Sequence, residues 1–142
     1  MTHNLPGIDS GITWFYYDNF AQATAFYEEV LGFESVVDQG WAKIYPIGNG
    51  GFLGTVNVQA GKGSCTTQPE SAVLLTLVVD DVKAWHTHLN RRDVDGLTEI
   101  EHREDIQIEC FFFEDPGGYR LEIQTFLDPK TARRFGEEPA NE

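Results

Sequence analysis

Two halves of this chain run through the same order of elements, and that repetition constrains the fold more than any other feature. In the first half, Ile12 to Tyr17 is a strand rich in aromatic and β-branched residues. Asp18-Asn19 caps a helix running to about Leu31, with Phe20, Ala23, Phe26, Tyr27 and Val30 on one face at spacings of three and four. Gly32 ends the helix, and three strands follow, over Phe33 to Asp38, Trp41 to Ile47 and Gly51 to Val58. Gln39-Gly40 and Gly48-Asn49-Gly50 are the turns between them. A polar linker rich in Gly, Ser and Thr covers about 59–71, and then the order restarts. Ala72 to Val79 is a strand, and Asp80-Asp81 caps a helix from Val82 to about Arg92 that buries Val82, Trp85 and Leu89. Strands at Leu97 to His102, Ile106 to Phe113 and Tyr119 to Phe126 close the second half.

Setting Phe20 over Val82 places Ile12 over Leu74 and Tyr27 over Leu89. At the far end, Gly50-Gly51-Phe52-Leu53-Gly54 falls over Gly118-Tyr119-Arg120-Leu121-Glu122. A half-sheet with one oily face cannot bury that face alone, so two such modules pack against each other. The expected fold is therefore α+β, with two tandem βαβββ modules forming a curved mixed sheet around a cavity and the helices outside. Residues 1–142 are read as one domain: module one over about 12–58, module two over about 72–126, and a loose tail over 127–142.

The last turn is the sharpest local signal. In Asp115-Pro116-Gly117-Gly118, proline presets φ at the second position and glycine takes a positive φ without steric cost. The strand after it alternates, with Leu121 and Ile123 on one face and Arg120, Glu122 and Gln124 on the other.

Charge narrows the partners. The formal net charge of −13 disfavours nucleic acid and anionic membranes, which reward positive surface; it is compatible with a cationic ligand, and solubility or a salty habitat accounts for it more readily. Met1 to Gly11 has no secretory signal, and the longest apolar run, Ala72 to Val79, is too short to span a bilayer. Cys65 and Cys110 form no closely spaced pair. The expectation is a reduced, cytoplasmic protein. Gly61-Lys62-Gly63-Ser64 lacks the first glycine of a phosphate loop, since Val56 stands there, and no capped helix follows it.

The stretch Ala25-Phe26-Tyr27-Glu28-Glu29-Val30-Leu31-Gly32-Phe33 resembles the helix-one signature of the vicinal oxygen chelate superfamily. Asp115-Pro116-Gly117-Gly118-Tyr119-Arg120-Leu121-Glu122-Ile123 resembles its closing motif. That superfamily includes glyoxalase I, extradiol dioxygenases, fosfomycin-resistance transferases and bleomycin-binding proteins. The resemblance implies four symmetric metal-ligand places, which fall here on Ile12, Gly54, Leu74 and Glu122. Only Glu122 has a donor side chain, and one carboxylate does not hold a divalent ion against water. His3 lies in the N-terminal arm, His86 and His88 sit about 200° apart around a helix, and His102 is read as a surface residue. No metal site and no cofactor are expected.

Alternation then describes the inner face. Trp14, Tyr16, Phe52, Gly54, Thr76, Arg120, Glu122 and Gln124 are the candidate ligand-binding residues, an aromatic-walled pocket with one polar strand. Trp41 and Tyr45 could add to it, with their face left open. Two other readings stay beside this one: the aromatics fill a closed core, or Glu122 simply pairs with Arg120. The functional expectation is a metal-free homodimer that binds an aromatic or cationic organic molecule, as the bleomycin-binding branch does by resemblance. The alternative is a glyoxalase- or lyase-like enzyme with Glu122 as general base or as sole retained metal ligand.

Overall fold

The computed structural model describes residues 5–136, so His3 and the end of the tail lie outside the described residues. Strand β1 (Gly11–Tyr17) leads into helix α1 (Phe20–Ala25), capped by Asn19, whose Oδ1 accepts from the Gln22 N–H at 3.1 Å. The periodicity predicts one regular helix to Leu31, but Phe26–Val30 widens into a π-helix. There the Leu31 N–H donates to the Phe26 carbonyl five residues back, at 3.2 Å. The adjacent Phe26 and Tyr27 are both buried in this segment.

Module one continues with β2 (Val37–Asp38), β3 (Ala42–Ile47) and β4 (Gly51–Asn57), and Val58–Ala60 forms a 3-10 turn. Module two comprises β5 (Leu74–Val78), α2 (Val82–Arg91), β6 (Glu101–Arg103), β7 (Ile108–Glu114) and β8 (Arg120–Phe126). Strands β2 and β6 are much shorter than the sequence predicts. Both are outermost strands with a single neighbour, which leaves little to hold a longer ladder.

The curved surface consists of two four-stranded mixed sheets, ordered β1-β4-β3-β2 and β5-β8-β7-β6. The parallel pairs repeat each other in register: Ile12 faces Phe52 in module one, and Leu74 faces Arg120 in module two. That is the alignment the sequence predicts. Odd-numbered residues of the central strands, among them Phe15, Tyr17, Leu53, Leu77, Phe111, Leu121 and Ile123, meet Ala23, Phe26, Tyr27, Val82 and Leu89 of the helices in one shared core. Even-numbered residues stand on the opposite, helix-free face.

Strands β1 and β5 are both sheet edges, and Tyr119 closes the gap on the β1 side. Its hydroxyl accepts from the Tyr16 N–H at 2.9 Å and donates to the Tyr16 carbonyl at 3.2 Å. Its ring stacks on Phe15 with centroids 4.0 Å apart. Just before it, the buried Asp115 gathers four donors. The Tyr17 and Tyr27 hydroxyls donate to Oδ2, the latter at 2.6 Å, and the N–H groups of Gly117 and Tyr119 donate to Oδ1 at 2.9 and 3.0 Å. One carboxylate thus ties the closing turn of module two to the first strand and helix of module one.

The sequence predicts a loose tail from residue 127, but its described part is ordered. Asp128 caps α3 (Pro129–Arg133), with proline at a position that needs no N–H, and the Phe135 ring stacks on Phe126 at 4.8 Å. Among the described residues no helix is long and apolar enough to cross a membrane.

Candidate functional site

By strand alternation the eight sequence-predicted site residues fall on the even-numbered rows of two separate sheets, and Thr76 and Tyr16 line different clefts. In the first sheet, Trp14 pairs with Gly54 and Tyr16 with Val56 across β1 and β4. In the second, Thr76 pairs with Glu122 and Val78 with Gln124 across β5 and β8. Tyr45 pairs with Leu53 and is fully buried on the helix side, and Trp41 bonds back to Asn57 of the same odd-numbered row. Both therefore belong to the odd-numbered rows and not with the candidate residues.

Glu122 is 7% exposed, and its Oε1 accepts from the Thr76 hydroxyl at 2.7 Å. The Cys110 thiol stands near it on the same face, one strand over on β7. Burial, then the Glu122 charge, pushes this thiol up to about 11. Cys110 is therefore protonated at neutral pH rather than a nucleophile. Sequence reasoning passed over Cys110. The signal was in the turn: Glu114 faces Arg120, so counting back along β7 puts Cys110 and Phe112 on the same face as Glu122.

Arg120 does not neutralise this carboxylate. Its guanidinium lies 5.1 Å from the Phe112 ring centroid, and its Nη1 is 3.9 Å from Glu114. Among the described residues Glu122 has no cationic partner within 4.0 Å. Its observed hydrogen-bond donor is the neutral Thr76 hydroxyl, and a buried carboxylate without a cationic partner is costly.

The aromatic side is partly self-filled. A Cβ at Gly54 would come within 2.2 Å of the Trp14 ring, so the absent side chain makes room for that indole. Trp14 nevertheless stays 37% exposed and presents its outer surface to solvent. Tyr16 is covered from the linker, where a Cβ at Gly63 would meet its ring at 2.6 Å. Phe52 is half-buried, Gln124 is half-buried, and Arg120 is exposed. Thr76 also lines a cleft of about 590 Å³ between the Gly48–Gly51 turn and the free edge of β5. Tyr16 lines a second, of about 530 Å³, beside Pro116 and Gly117.

The four places at which the resemblance implies metal ligands carry Ile12, Gly54, Leu74 and Glu122, so the donor set does not fit a divalent ion. Among the described residues no three His, Cys, Asp or Glu side chains cluster as metal ligands do. Glu109 pairs with Thr125 and Glu122 with Phe112, so those two carboxylates point to opposite faces of the sheet. His102 Nδ1 lies 3.5 Å from Glu109, on the face away from Glu122. The ring nitrogens of His86 and His88 instead meet the backbone carbonyls of Thr98 and Val30 at 2.9 and 2.7 Å, pinning α2 to its surroundings.

A family model described as Glyoxalase/Bleomycin resistance protein/Dioxygenase superfamily matches residues 11–123. A comparison with curated proteins found no match. Among solved structures, the chain is similar to a lactoylglutathione lyase from Agrobacterium tumefaciens, at 19% identity and a TM-score of 0.68, covering 84% of this chain and 95% of that one. It is similar to a glyoxalase/bleomycin resistance protein/dioxygenase from Nocardioides at 12% identity and a TM-score of 0.71, covering 89% of each. A glyoxalase/bleomycin resistance protein from Catenulispora acidiphila DSM 44928 superposes with a TM-score of 0.60 at 18% identity, covering 80% of this chain and 95% of that one. At these identities the likeness is one of fold.

Proposed function

The chain belongs to the glyoxalase/bleomycin resistance protein/dioxygenase superfamily, and from that premise we propose that it is a metal-free binding protein for a cationic aromatic molecule. One observation carries the reading: Glu122 is a buried carboxylate on the helix-free face whose observed hydrogen-bond donor is the neutral Thr76 hydroxyl. A ligand cation supplies the charge that no side chain supplies, and a net charge of −13 favours its approach. The exposed surface of Trp14 offers an aromatic platform on the same face, suited to a flat ring or to a cation over its π-system. The donor chemistry at the four metal-ligand places supports a metal-free site, because three of the four residues have nothing to coordinate with. As in the sequence reading, a homodimer is proposed; exposed Ile12 and Leu74, equivalent residues of the two modules, are apolar surface that a second copy would cover.

A direct test compares benzyltrimethylammonium with its neutral isostere neopentylbenzene, by thermal shift and Trp fluorescence. The cation should raise Tm and perturb Trp emission while the isostere does neither. Equal responses to both would remove the role of the carboxylate. The same buried carboxylate also suits a general base, and that second reading separates cleanly. An enzyme turns its substrate over with a rate that collapses in Glu122→Gln while binding persists, whereas a binding protein loses affinity.

A further inference from the structure

The two modules repeat each other in strand register, and one place where they differ is a cleft. On one side of the molecule the β7–β8 turn presents Tyr119 to the free edge of β1, and its hydroxyl takes both the N–H and the carbonyl of Tyr16. The matching registers identify the equivalent residues on the other side. Tyr119 precedes Arg120 as Gly51 precedes Phe52, and Val78 follows Leu74 as Tyr16 follows Ile12. Gly51 therefore stands where Tyr119 does, facing Val78 where Tyr119 faces Tyr16. With no side chain at Gly51, the space that Tyr119 fills on one side is open on the other, and it is the cleft of about 590 Å³.

The cleft keeps the features that hold Tyr119. The Val79 N–H donates to the Gln124 carbonyl at 2.9 Å, so odd-numbered residues of β5 point their backbone groups at β8. By the strand alternation, the N–H and carbonyl of Val78 point the other way, to the free edge, as those of Tyr16 do. No hydrogen bond to either group is found among the described residues. Leu77 occupies the place of Phe15, the residue on which Tyr119 stacks, and Trp85 and Phe135 add aromatic walls. An unpaired donor and acceptor on one residue, at the floor of an aromatic cleft, define the chemistry of the occupant.

We propose that this cleft is a second binding site, adjoining the Glu122 site at Thr76, that takes a phenol. The ring lies where the Tyr119 ring lies in the other module, and its hydroxyl accepts from the Val78 N–H and donates to the Val78 carbonyl. The cleft is larger than one ring, so it has room for a substituent on the phenol.

The probe is 4-methylphenol, the tyrosine side chain as a free molecule, with toluene as the same ring without the hydroxyl. In ¹H–¹⁵N NMR titrations, 4-methylphenol should shift the Val78 and Val79 amides and the Trp85 indole N–H and leave the Trp14 indole N–H in place. Toluene should bind at least about tenfold more weakly, the combined effect of the two hydrogen bonds it cannot make. Gly51→Tyr supplies the phenol from the chain itself. A Cβ at Gly51 meets nothing within 4 Å, so the substitution is accommodated. This variant should raise Tm and abolish binding of 4-methylphenol, and Phe135→Ala, on the cleft's outer wall, should weaken binding and leave the fold intact. Undiminished binding in Gly51→Tyr, shifts centred on Trp14, equal affinity for toluene, or no response at millimolar 4-methylphenol each overturns the proposal. Should Gly51→Tyr not fold, the wild-type shift map and the toluene comparison decide it alone.

Discussion

Replacing Asp115 with alanine should destabilise this protein more than any single polar substitution on its surface. The carboxylate is 2% exposed and accepts from two phenols and two backbone amides. Truncation strands up to four donors in a dry site, and each buried unsatisfied group costs about 1–3 kcal/mol. The two tyrosine hydroxyls keep each other, at 3.2 Å, and the turn amides can recruit water, so the loss falls short of the full sum. About 3–5 kcal/mol is expected, at the upper end for a single substitution. In a domain of this size that lowers Tm by roughly 10–20 °C. Asp115→Asn should cost less, about 1–3 kcal/mol, because one carbonyl oxygen still serves the turn amides and a phenol can rotate to accept from the new NH₂. Urea unfolding followed by circular dichroism reads both as a shift in midpoint at constant slope. An Asp115→Ala protein within 1 kcal/mol of wild type, or an order of severity reversed between Ala and Asn, would refute the claim that this carboxylate joins the modules.

Further outcomes follow from the same structure. Burial holds the Asp115 carboxyl above its usual range, so the folded state binds its proton more readily than the unfolded chain. Its contribution is then complete below the unfolded value of about 3.9 and is lost as pH rises through the folded value; the stability gap between wild type and Asp115→Ala should widen as pH falls from 7 towards 4. Glu28 has the opposite sign: hydrogen bonds from Lys43, at 2.8 Å, and Tyr45, at 2.7 Å, hold it below its usual range. That contribution is present above the unfolded carboxylate value and lost as pH falls through the folded one, and Glu28→Gln should remove this part of the acid sensitivity in a pH series of urea midpoints. Tyr119→Phe keeps the stacked ring and removes the hydroxyl that serves both backbone groups of Tyr16, for a loss of about 1–2 kcal/mol in the same assay. Gly54→Ala forces the Trp14 indole to move, with a red- or blue-shifted emission and a cost of about 1–3 kcal/mol; unchanged emission would contradict the packing of that ring. Analytical ultracentrifugation should show a dimer at micromolar concentration, and a 16.0 kDa monomer throughout would remove the proposed homodimer.

The register of both modules was legible because each parallel pair carries fixed marks, a capped helix after its first strand and a glycine turn before its last. Those marks align Ile12 with Leu74 and Gly54 with Glu122, and the registers Ile12–Phe52 and Leu74–Arg120 agree with that alignment. Alternation then assigned the open face, since a strand allows only two phases. Side-chain direction within a face was not legible. Arg120 could have reached Glu122 two residues away, and instead lies over Phe112, because the cross-strand neighbour is a better surface than the same-strand one. The widened end of α1 was also hidden: the spacing of Phe26, Tyr27 and Val30 fits a regular helix, and nothing in it marks the change to the π form. Asp115 reads from the sequence as a turn residue, and its four donors come from elements far apart in the chain. The cleft at Gly51 was invisible for a related reason. A glycine in a turn reads as conformational freedom, and only its alignment with Tyr119 in the folded modules shows that it also leaves a space.

The central claim is that Glu122 anchors a cation, and isothermal titration of benzyltrimethylammonium into wild type and Glu122→Gln tests it most directly. The substitution keeps the shape and the hydrogen bond from Thr76 while removing the charge. A hydrogen-bonded or paired charge of this kind is worth about 1.5–3 kcal/mol, so affinity should fall by roughly 10- to 150-fold with little change in Tm. Binding of equal strength to both proteins would contradict the account.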